Sequence, residues 1–433
     1  MTKTVDIHVH HITRVEGHGN IVLRASDGHI EKVEWQVPEA PRFFEAMVRG
    51  RSYEDIQTIV SRICGICSVT HSFAAIKAIE DAMGITVSEQ TDRIRKLLHY
   101  SEQLESHSLH VGYLVAPDLL GVKSVIPLVA SHPDVVKAVI RLHRTGNQWM
   151  DRIGGRMTHP VTIKPAGGFA SLPTESYFRE LHKTLTAAIP DLKLLADVVL
   201  SLAGKLPAFD RPTEYIALVN PGEYSFYHGQ IGSTDTKDTV PVRQFESVAN
   251  EYVVPQSTAK WCKWHRDSYM CGALARFNLG ADYLLPLAKE TAHKLGLKKG
   301  AVNPYLNNVA QVVEAVQVVE HSLQIIDELL TRGIKPELPK VEPREGEGAG
   351  AVEAPRGILF HRYAFDKKGN CIKANCVIPT NQNHANIQKD FEALVPTIID
   401  REPDEIRLLM EMLVRAYDPC ISCSTHYLDV KFV

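Results

Sequence analysis

Two cysteine pairs at opposite ends of the chain have the spacing that most clearly indicates chemistry. The first is Cys64 and Cys67, in a Cys-Gly-Ile-Cys segment, and the second is Cys420 and Cys423, in a Cys-Ile-Ser-Cys segment. Four thiolates at this spacing are most often metal ligands. A structural zinc ribbon joins its two halves within about 15–20 residues, whereas most of the chain separates these pairs. The sequence therefore predicts a buried metal site that forms where the two ends of the fold meet.

The residue types narrow the choice of metal without settling it. Soft thiolates favour nickel, iron, copper(I) or zinc over hard cations, and a purely structural zinc protein is one open interpretation. Each pair is followed by a histidine: His71 lies four residues after Cys67, and His426 lies three after Cys423. We expect His71 to hydrogen-bond a ligating sulfur rather than to bind the metal itself. The alternative is a buried histidine whose ring bonds to the main chain.

Composition excludes several classes of protein. The 433 residues are 44% hydrophobic, enough for a large core. The net charge of −3 does not favour nucleic acid as a partner. No run of 18 apolar residues is present, so no membrane span is expected, and the polar, histidine-bearing start of the chain does not resemble a secretory signal. We therefore expect a cytoplasmic protein. The other four cysteines are interpreted as small, reduced, buried side chains: Cys262, Cys271, Cys371 and Cys376.

The hydrophobic pattern predicts a helix-dominated α+β chain. Residues 5–38 alternate as strands and contain a hairpin at Asp27-Gly28; residues 53–333 form a mainly helical core in which 306–332 is the longest helix. A Pro/Glu/Gly-rich exposed loop is predicted at 336–350, followed by a C-terminal segment at 353–426 with strands at 356–364 and 371–378 and a helix at 404–416. The helix predicted at 68–83 places Cys67 at its N-terminus, where the helix dipole should lower the thiol pKa.

The segments around the cysteines resemble the large, catalytic subunit of nickel–iron hydrogenases. Residues 62–71 match R-x-C-G-x-C-x-x-x-H, and residues 418–426 match D-P-C-x-x-C-x-x-H. Four further segments are similar to motifs of that family, in the same order: 14–18, 41–45, 353–357 and 377–380. The resemblance covers essentially the whole chain. It implies a single domain over 1–433, with a central bundle of long helices and a small peripheral β-sheet.

The resemblance also implies the metals and the reaction. Cys64 and Cys420 would bind nickel terminally, and Cys67 and Cys423 would bridge nickel to an iron that carries one carbon monoxide and two cyanides. The implied reaction is the reversible heterolysis of dihydrogen, which needs a base. The Cys420 thiolate would be the nearest base, and Glu16 would come next on the proton route, with a pKa raised by burial. The alternative for Glu16 is an ordinary surface carboxylate.

Other site residues follow from the same resemblance. Arg356 would lie over the metals and hydrogen-bond one cyanide, and Thr380 would donate to the other. Asp118 and Asp418 would hold that arginine in place, although Asp118 also fits a plain helix or turn cap. Two residues would supply rigid apolar walls, Pro355 and Pro379.

A second cation site is implied near the C-terminus. Glu45 and His426, with a main-chain carbonyl near Cys376 and waters, resemble the family's hard-cation site, which usually holds magnesium. An imidazole ligand is unusual for magnesium, so iron is the alternative. In relatives an endopeptidase cuts after this histidine once nickel is loaded by maturation proteins. The tail at 427–433 is therefore expected to be removed.

The segments 42–46, 303–308 and 416–423 resemble the cytosolic, bidirectional branch of the family, whose members are linked to NAD(P) or to sulfur reduction. No Gly-x-Gly-x-x-Gly follows a predicted strand, so nicotinamide chemistry would belong to a diaphorase-type partner. No additional cysteine motif for an iron–sulfur cluster is present, so electrons would leave through an iron–sulfur small subunit. Three further interpretations carry the same motifs or fold: a membrane-attached hydrogenase module, a dihydrogen-sensing regulatory subunit, and a respiratory complex I core subunit, which lacks the four cysteines.

Overall fold

The computed structural model describes residues 4–165, 167–337 and 341–425. His426 and the predicted tail at 427–433 lie outside the described residues. The strands are β1 Thr4–Val9, β2 Asn20–Ser26, β3 His29–Gln36, β4 Ile163–Lys164, β5 Gly168–Phe169, β6 Glu214–Val219, β7 Gln230–Ser233, β8 Asn250–Val254, β9 Ser257–Lys263, β10 Tyr269–Met270, β11 Gly346–Ala354, β12 Gly357–Phe365 and β13 Cys371–Val377.

The helices outnumber the strands in residues, as predicted. They are α1 Phe44–Val48, α2 Tyr53–Val60, α3 Ser68–Met83, α4 Glu89–Leu109, α5 Ala116–Leu119, α6 Leu128–Ser131, α7 Pro133–Gly154, α8 Glu175–Leu202, α9 Ala273–Gly280, α10 Pro286–Lys294, α11 Asn307–Arg332, α12 Pro379–Ile398, α13 Pro403–Ala416 and α14 Ile421–Ser424. A π-helical turn, His110–Val115, joins α4 to α5. Among the described residues, no helix is long and apolar enough to cross a membrane.

The N-terminal sheet contains the predicted hairpin. Strands β2 and β3 pair antiparallel, and β1 adds to the other edge of β2. Asp27 and Gly28 at the turn have φ angles of 50° and 76°, the left-handed conformation that the tight turns of two-residue hairpins require. Trp35 on β3 is fully buried, so the sheet covers the core on one face.

Four long helices form the centre of the fold. Helix α4 packs against α7 and α11, and α8 packs against the same two helices. The prediction that 306–332 is the longest helix was wrong, because α8 has 28 residues and α11 has 26. Pro190 lies inside α8. Because proline lacks a main-chain N–H donor and usually ends a helix, the sequence does not indicate that one helix continues through this position. Gly146 on α7 allows close packing, since a Cβ there would lie 2.8 Å from the Cβ of Glu105 on α4.

The C-terminal sheet, in the order β11-β12-β13, packs against α3. The exposed loop predicted for 336–350 was wrong over its last five residues, because β11 begins at Gly346 and its residues are buried from Gly348 onward. A Cβ at Gly348 would clash with the backbone of Ala82 on α3. The glycines of β11 therefore permit this strand to lie directly on a helix. From composition alone, a glycine-rich strand of this kind cannot be distinguished from a glycine-rich loop.

Candidate metal centre

The four predicted cysteines meet in the interior. Their sulfur atoms all lie within 4.8 Å of one another, and all four residues are buried. The Sγ atoms of Cys64 and Cys420 are 3.4 Å apart, and those of Cys67 and Cys423 are 3.8 Å apart. Cys420 and Cys423 are within disulfide-bonding contact of each other, so a metal ion here requires both in the reduced form. The structure thus joins the two ends of the chain at one cluster of sulfurs.

The first pair lies at the start of α3. Cys67 occupies the position just before the helix, and its main-chain N–H donates to Cys64 Sγ at 3.3 Å. The hydrogen bond from the Cys67 thiol lowers the pKa of Cys64. The same hydrogen bond, followed by burial, raises the pKa of Cys67 well above its usual value. The predicted lowering at Cys67 was therefore wrong: the pKa is lowered at Cys64 instead, mainly by the Cys67 thiol and to a smaller extent by the Cys67 main-chain N–H.

The second pair is held by the N-terminal segment and by α12. Cys420 donates its main-chain N–H to the hydroxyl oxygen of Thr380 at 3.0 Å. The main-chain oxygen of Glu16 accepts from Ile421 N at 2.9 Å, and its carboxylate oxygen Oε2 accepts from Ser422 N at 3.1 Å. Glu16 therefore lies directly beside the cysteine loop. It is half-buried rather than buried as predicted, and its role in proton transfer stays a prediction.

A glycine makes this close approach feasible. Gly17 has a φ of 86°, and a Cβ at this position would lie 2.6 Å from Ser422 N. Any side chain would strain the backbone and push the cysteine loop away. The absence of a side chain at Gly17 thus allows the Glu16-Gly17 backbone to pack directly against the loop that carries the second cysteine pair.

Arg42 connects both cysteine segments, and sequence reasoning did not single it out. Its guanidinium donates to the carbonyl oxygen of Ile63 at 2.7 Å and also to that of Ser422. Its main-chain N–H donates to Thr425 O at 2.8 Å. The sequence contained a signal for Arg42, because this residue lies in the family-like motif at 41–45. Only Glu45 of that motif was assigned a role. One cation therefore positions the carbonyls next to both pairs.

Arg356 reaches the centre from the turn between β11 and β12. Its Nε donates to Asp418 O at 2.7 Å, and its Nη2 donates to Asp418 Oδ1 at 2.9 Å. Burial opposes the charge, but Asp418 and the nearby thiols raise the pKa of Arg356 above its usual value. Nη1 is buried and has no hydrogen-bond partner among the described residues. The guanidinium is therefore charged, held by one carboxylate, and has a donor to spare.

Asp118 does not hold Arg356 and the prediction that it does was wrong. Its carboxylate accepts from Arg415 Nη1 at 3.0 and 2.9 Å and also pairs with Arg14. Arg415 lies at the end of α13, three residues before Asp418. Asp118 therefore supports the centre indirectly: through Arg415 it fixes the end of α13, and through Arg14 it fixes the N-terminal segment.

A buried ionic network supports the turn that carries Arg356. Arg276 on α9 donates to the carbonyls of Ala354 and Pro355 at 2.8 and 3.0 Å, and it pairs with Glu314 and Glu353. Burial raises the pKa of Glu353 to about 7, whereas Arg276 outweighs burial and lowers the pKa of Glu314 to about 2. Arg276 was missed because nothing in the apolar pattern of α9 marks a buried cation.

The remaining predicted residues lie around the cluster. His71 is buried, and its Nδ1 is 3.1 Å from His361 Nε2; its bond to a sulfur stays a prediction. Glu45 is buried, and its Oε1 accepts from Cys376 N at 2.7 Å, so these two residues of the proposed second cation site meet. The two predicted wall residues are both buried: Pro355 and Pro379. The other cysteines are buried too, as expected.

Glu102 on α4 caps the helix that begins at the first pair, and sequence reasoning missed it. Its carboxylate accepts from Val69 N at 2.7 Å and from Thr70 N at 3.2 Å. Burial raises its pKa from 4.5 to about 8. Because the folded chain binds this proton more tightly than the unfolded chain, Glu102 makes the free energy of unfolding fall as pH rises from about 5 to about 8.

This effect predicts the behaviour of Glu102→Gln, which mimics the protonated carboxyl. The free energy of unfolding of the wild type should fall relative to the variant by up to about 1.4 kcal/mol per pH unit across that window. Urea unfolding at a series of pH values measures the difference. Glu290→Gln, at an exposed position on α10, is the control. A constant difference between wild type and Glu102→Gln would contradict the assignment.

The donor set fits a soft-metal centre with small anionic ligands. Four sulfurs can hold one or two thiophilic metals. A buried donor without a partner is costly, so the spare Nη1 donor of Arg356 would be satisfied by a hydrogen-bond acceptor bound beside the metals. The Thr380 hydroxyl accepts from Cys420 N, so its own hydrogen can be donated to a second group.

Comparisons with known proteins agree with this geometry. A family model described as nickel-dependent hydrogenase matches residues 42–196 and 220–426. Sulfhydrogenase 1 subunit alpha of Pyrococcus furiosus is 34% identical over 427 residues, covering 97% of each chain. The NAD-reducing hydrogenase HoxS subunit beta of Cupriavidus necator is 28% identical, covering 96% of this chain and 94% of its own. A crystal structure of an NAD+-reducing NiFe-hydrogenase in the H2-reduced state superposes with a TM-score of 0.83 at 25% identity, covering 97% of this chain and 99% of that one.

Proposed function

The chain belongs to the nickel-dependent hydrogenase family, and from this premise we propose how its residues cleave and form dihydrogen. It is the catalytic large subunit of a nickel–iron hydrogenase, an oxidoreductase acting on dihydrogen. The observation that carries the assignment to this site is the cluster of four buried cysteine sulfurs within 4.8 Å. The fold class predicted from the sequence is that of the family's solved structures.

The cysteines divide between two roles in this proposal. Cys64 and Cys420 would hold nickel, and Cys67 and Cys423 would hold both nickel and an iron that carries one carbon monoxide and two cyanides. When bound, the metals supply an open coordination position at which dihydrogen is polarised. The pairing of Cys64 with Cys420 and of Cys67 with Cys423 in space supports this division. Burial of all four excludes bulk water from the reaction.

Arg356 and Thr380 orient the ligands of the iron. The spare Nη1 of Arg356 would donate to one cyanide, and the Thr380 hydroxyl would donate to the other. Asp418 fixes the guanidinium by accepting from both Nε and Nη2. Pro355 and Pro379 close the space as apolar walls, and His71 donates toward a bridging sulfur. Preorganised donors of this kind act strongly in a buried site because the local dielectric is low.

Protons leave through sulfur and carboxylate in this proposal. The Cys420 sulfur takes the proton from dihydrogen, and Glu16 passes it toward solvent. The support is the contact of Glu16 with the loop that follows Cys420, through both its main chain and its carboxylate. A half-buried carboxylate at this point can exchange protons with both the sulfur and water.

Glu16→Gln tests this route. The amide preserves the hydrogen bond from Ser422 N but cannot carry the proton, so exchange between D2 gas and water should fall by about 100-fold while nickel and iron contents stay unchanged. Glu31→Gln, on the exposed face of β3, is the matched control. Exchange at the wild-type rate in Glu16→Gln would remove Glu16 from the route.

A second cation lies near the C-terminus in this proposal. Glu45, a main-chain carbonyl near Cys376 and His426 would bind magnesium, or iron, because oxygen ligands suit a hard cation. The contact of Glu45 with Cys376 supports the site. Removal of the tail at 427–433 by an endopeptidase, after nickel loading by maturation proteins, would close it.

Electrons pass to partner subunits in this proposal. Among residues 4–165, 167–337 and 341–425, the four cysteines are the single group of three or more metal-ligating side chains that is close enough to hold a metal, and the electron acceptor in this proposal is an iron–sulfur small subunit. The relatives are themselves named as subunits, one of an NAD-reducing enzyme and one of a sulfhydrogenase. We therefore propose a cytoplasmic heteromultimer with NAD(P)-linked or similar electron-transfer subunits.

Metal analysis and activity test the function together. The complex, purified without oxygen, should contain one nickel for each copy of this chain, should also contain iron, and should reduce a viologen dye with dihydrogen. Zinc in place of both metals, with no dye reduction, would contradict the proposal and leave a structural thiolate site.

A further inference from the structure

Glu105 on α4 is a buried carboxylate that the mechanism above does not use. The residue is 7% exposed, and its Oε2 atom has no hydrogen-bond partner among the described residues. A buried carboxylate oxygen without a hydrogen-bond partner costs folding free energy, so its presence needs an explanation. It lies one helical turn after Glu102, on the same face of α4, and Glu102 itself bonds the start of α3 beside Cys67.

The Glu105 carboxylate interacts electrostatically with residues of the metal centre. The charges of Arg356, Cys64 and Asp418 all act on its carboxylate, and Glu102 interacts with it from the previous turn. Arg356 Nη1 is also buried without a hydrogen-bond partner among the described residues. The carboxylate of Glu105 therefore lies within reach of the Arg356 charge.

The outer side of Glu105 faces α7. Its Oε1 lies 3.4 Å from His143 Nδ1, and its main-chain oxygen lies 3.2 Å from the same nitrogen. The His143 side chain is 28% exposed, and its Nε2 is 3.1 Å from the amide nitrogen of Asn147. Gly146 permits this approach because any Cβ there would collide with Glu105. A titratable ring thus connects the buried carboxylate to water.

We propose that Glu105 and His143 form a proton relay between the metal centre and solvent, separate from the route through Glu16. The relay rests on the proposed function, because it carries the proton that dihydrogen cleavage releases. In the resting ring the hydrogen is on Nδ1, which donates to the main-chain oxygen of Glu105. For delivery inward, water protonates Nε2 and the Nδ1 hydrogen passes to Glu105 Oε1. For release outward, Oε1 protonates Nδ1 of the tautomer that carries its hydrogen on Nε2, and the Nε2 hydrogen leaves to water. No electron moves and no bond between heavier atoms changes.

The electrostatics agree with this role. Burial raises the pKa of Glu105 to about 8, Arg356 opposes the shift, and Cys64 and Asp418 add to it. The carboxyl can therefore both hold and release a proton near neutral pH. A carboxylate fixed by a permanent ion pair, such as Glu314 beside Arg276, could not.

Glu105→Gln in the purified complex is the first test. We expect the infrared bands of the iron-bound carbon monoxide and cyanides at wild-type positions, D2–water exchange lowered by at least about threefold, and loss of a protonated-carboxyl band from the infrared difference between pH 6 and pH 9. Intact metal-ligand bands with exchange lowered by less than about threefold, or with an unchanged carboxyl band, would overturn the relay. Absence of the metal-ligand bands in the wild type would instead overturn the proposed function.

His143→Ala provides a test at a partly exposed position, where folding is less at risk. Added imidazole can enter the space left by the ring and take over its proton transfer, so it should restore exchange in this variant. His182→Ala, on α8 with a side chain 34% exposed, is the matched control and should exchange at the wild-type rate with or without imidazole. No loss in His143→Ala, or a loss that imidazole does not restore, would remove His143 from the relay.

Discussion

Replacement of Cys420 with serine is expected to abolish dihydrogen turnover together with nickel binding. The four sulfurs lie within 4.8 Å of one another and are fully enclosed, so the loss of one leaves a hydroxyl that is a poor ligand for a soft metal. A hydroxyl oxygen also cannot serve as the thiolate base. Nickel content by mass spectrometry and dye reduction by dihydrogen should both fall below detection.

Cys371→Ala is the matched control for this prediction. Cys371 is buried like the ligands but lies on β13, outside the cluster. It should retain nickel, iron and turnover. Nickel bound at the wild-type level in Cys420→Ser would show that Cys420 is not a ligand and would contradict the proposed division of roles.

Arg356→Lys should keep the metals but lose most of the turnover. Lysine preserves the charge, yet it cannot bond Asp418 through two nitrogens and also present a third donor to the metals. Loss of one preorganised donor in a buried site typically costs about 10²–10³ in kcat. Initial rates of dye reduction, normalised to nickel content, measure the effect.

Arg243→Lys controls for the substitution itself. Arg243 is largely exposed and pairs with Asp81 on the surface, so its change should leave the rate unaltered. An Arg356→Lys variant with a kcat within about threefold of the wild-type value would contradict this prediction. It would show that the forked geometry of the guanidinium contributes little to turnover.

Much of the site could be predicted because its chemistry depends on residue types at fixed spacings. The two cysteine pairs, the turn with Arg356 and the Thr380 loop occur in short segments, and the fold brings them together. The start of α3 at Ser68 and the Asp27-Gly28 hairpin were also correct, because capping and turn geometry are local properties of the chain.

The errors arose where partners are distant in sequence. Asp118 pairs with Arg14 and Arg415 rather than Arg356, and no local pattern indicates which cation a carboxylate will meet. Glu102 and Arg276 were missed for the same reason: each lies on a helix whose periodicity shows a buried face but not what that face contacts. The Gly346–Gly350 segment was mistaken for a loop because only packing against α3 reveals why glycine is needed.

An infrared spectrum of the purified complex, in the region where metal-bound carbon monoxide and cyanide absorb, tests the central claim most directly. The account predicts one carbonyl band and two cyanide bands in the wild-type complex. A wild-type complex with its metals loaded, its C-terminal tail removed and no such bands would contradict the assignment of these four cysteines to a nickel–iron centre.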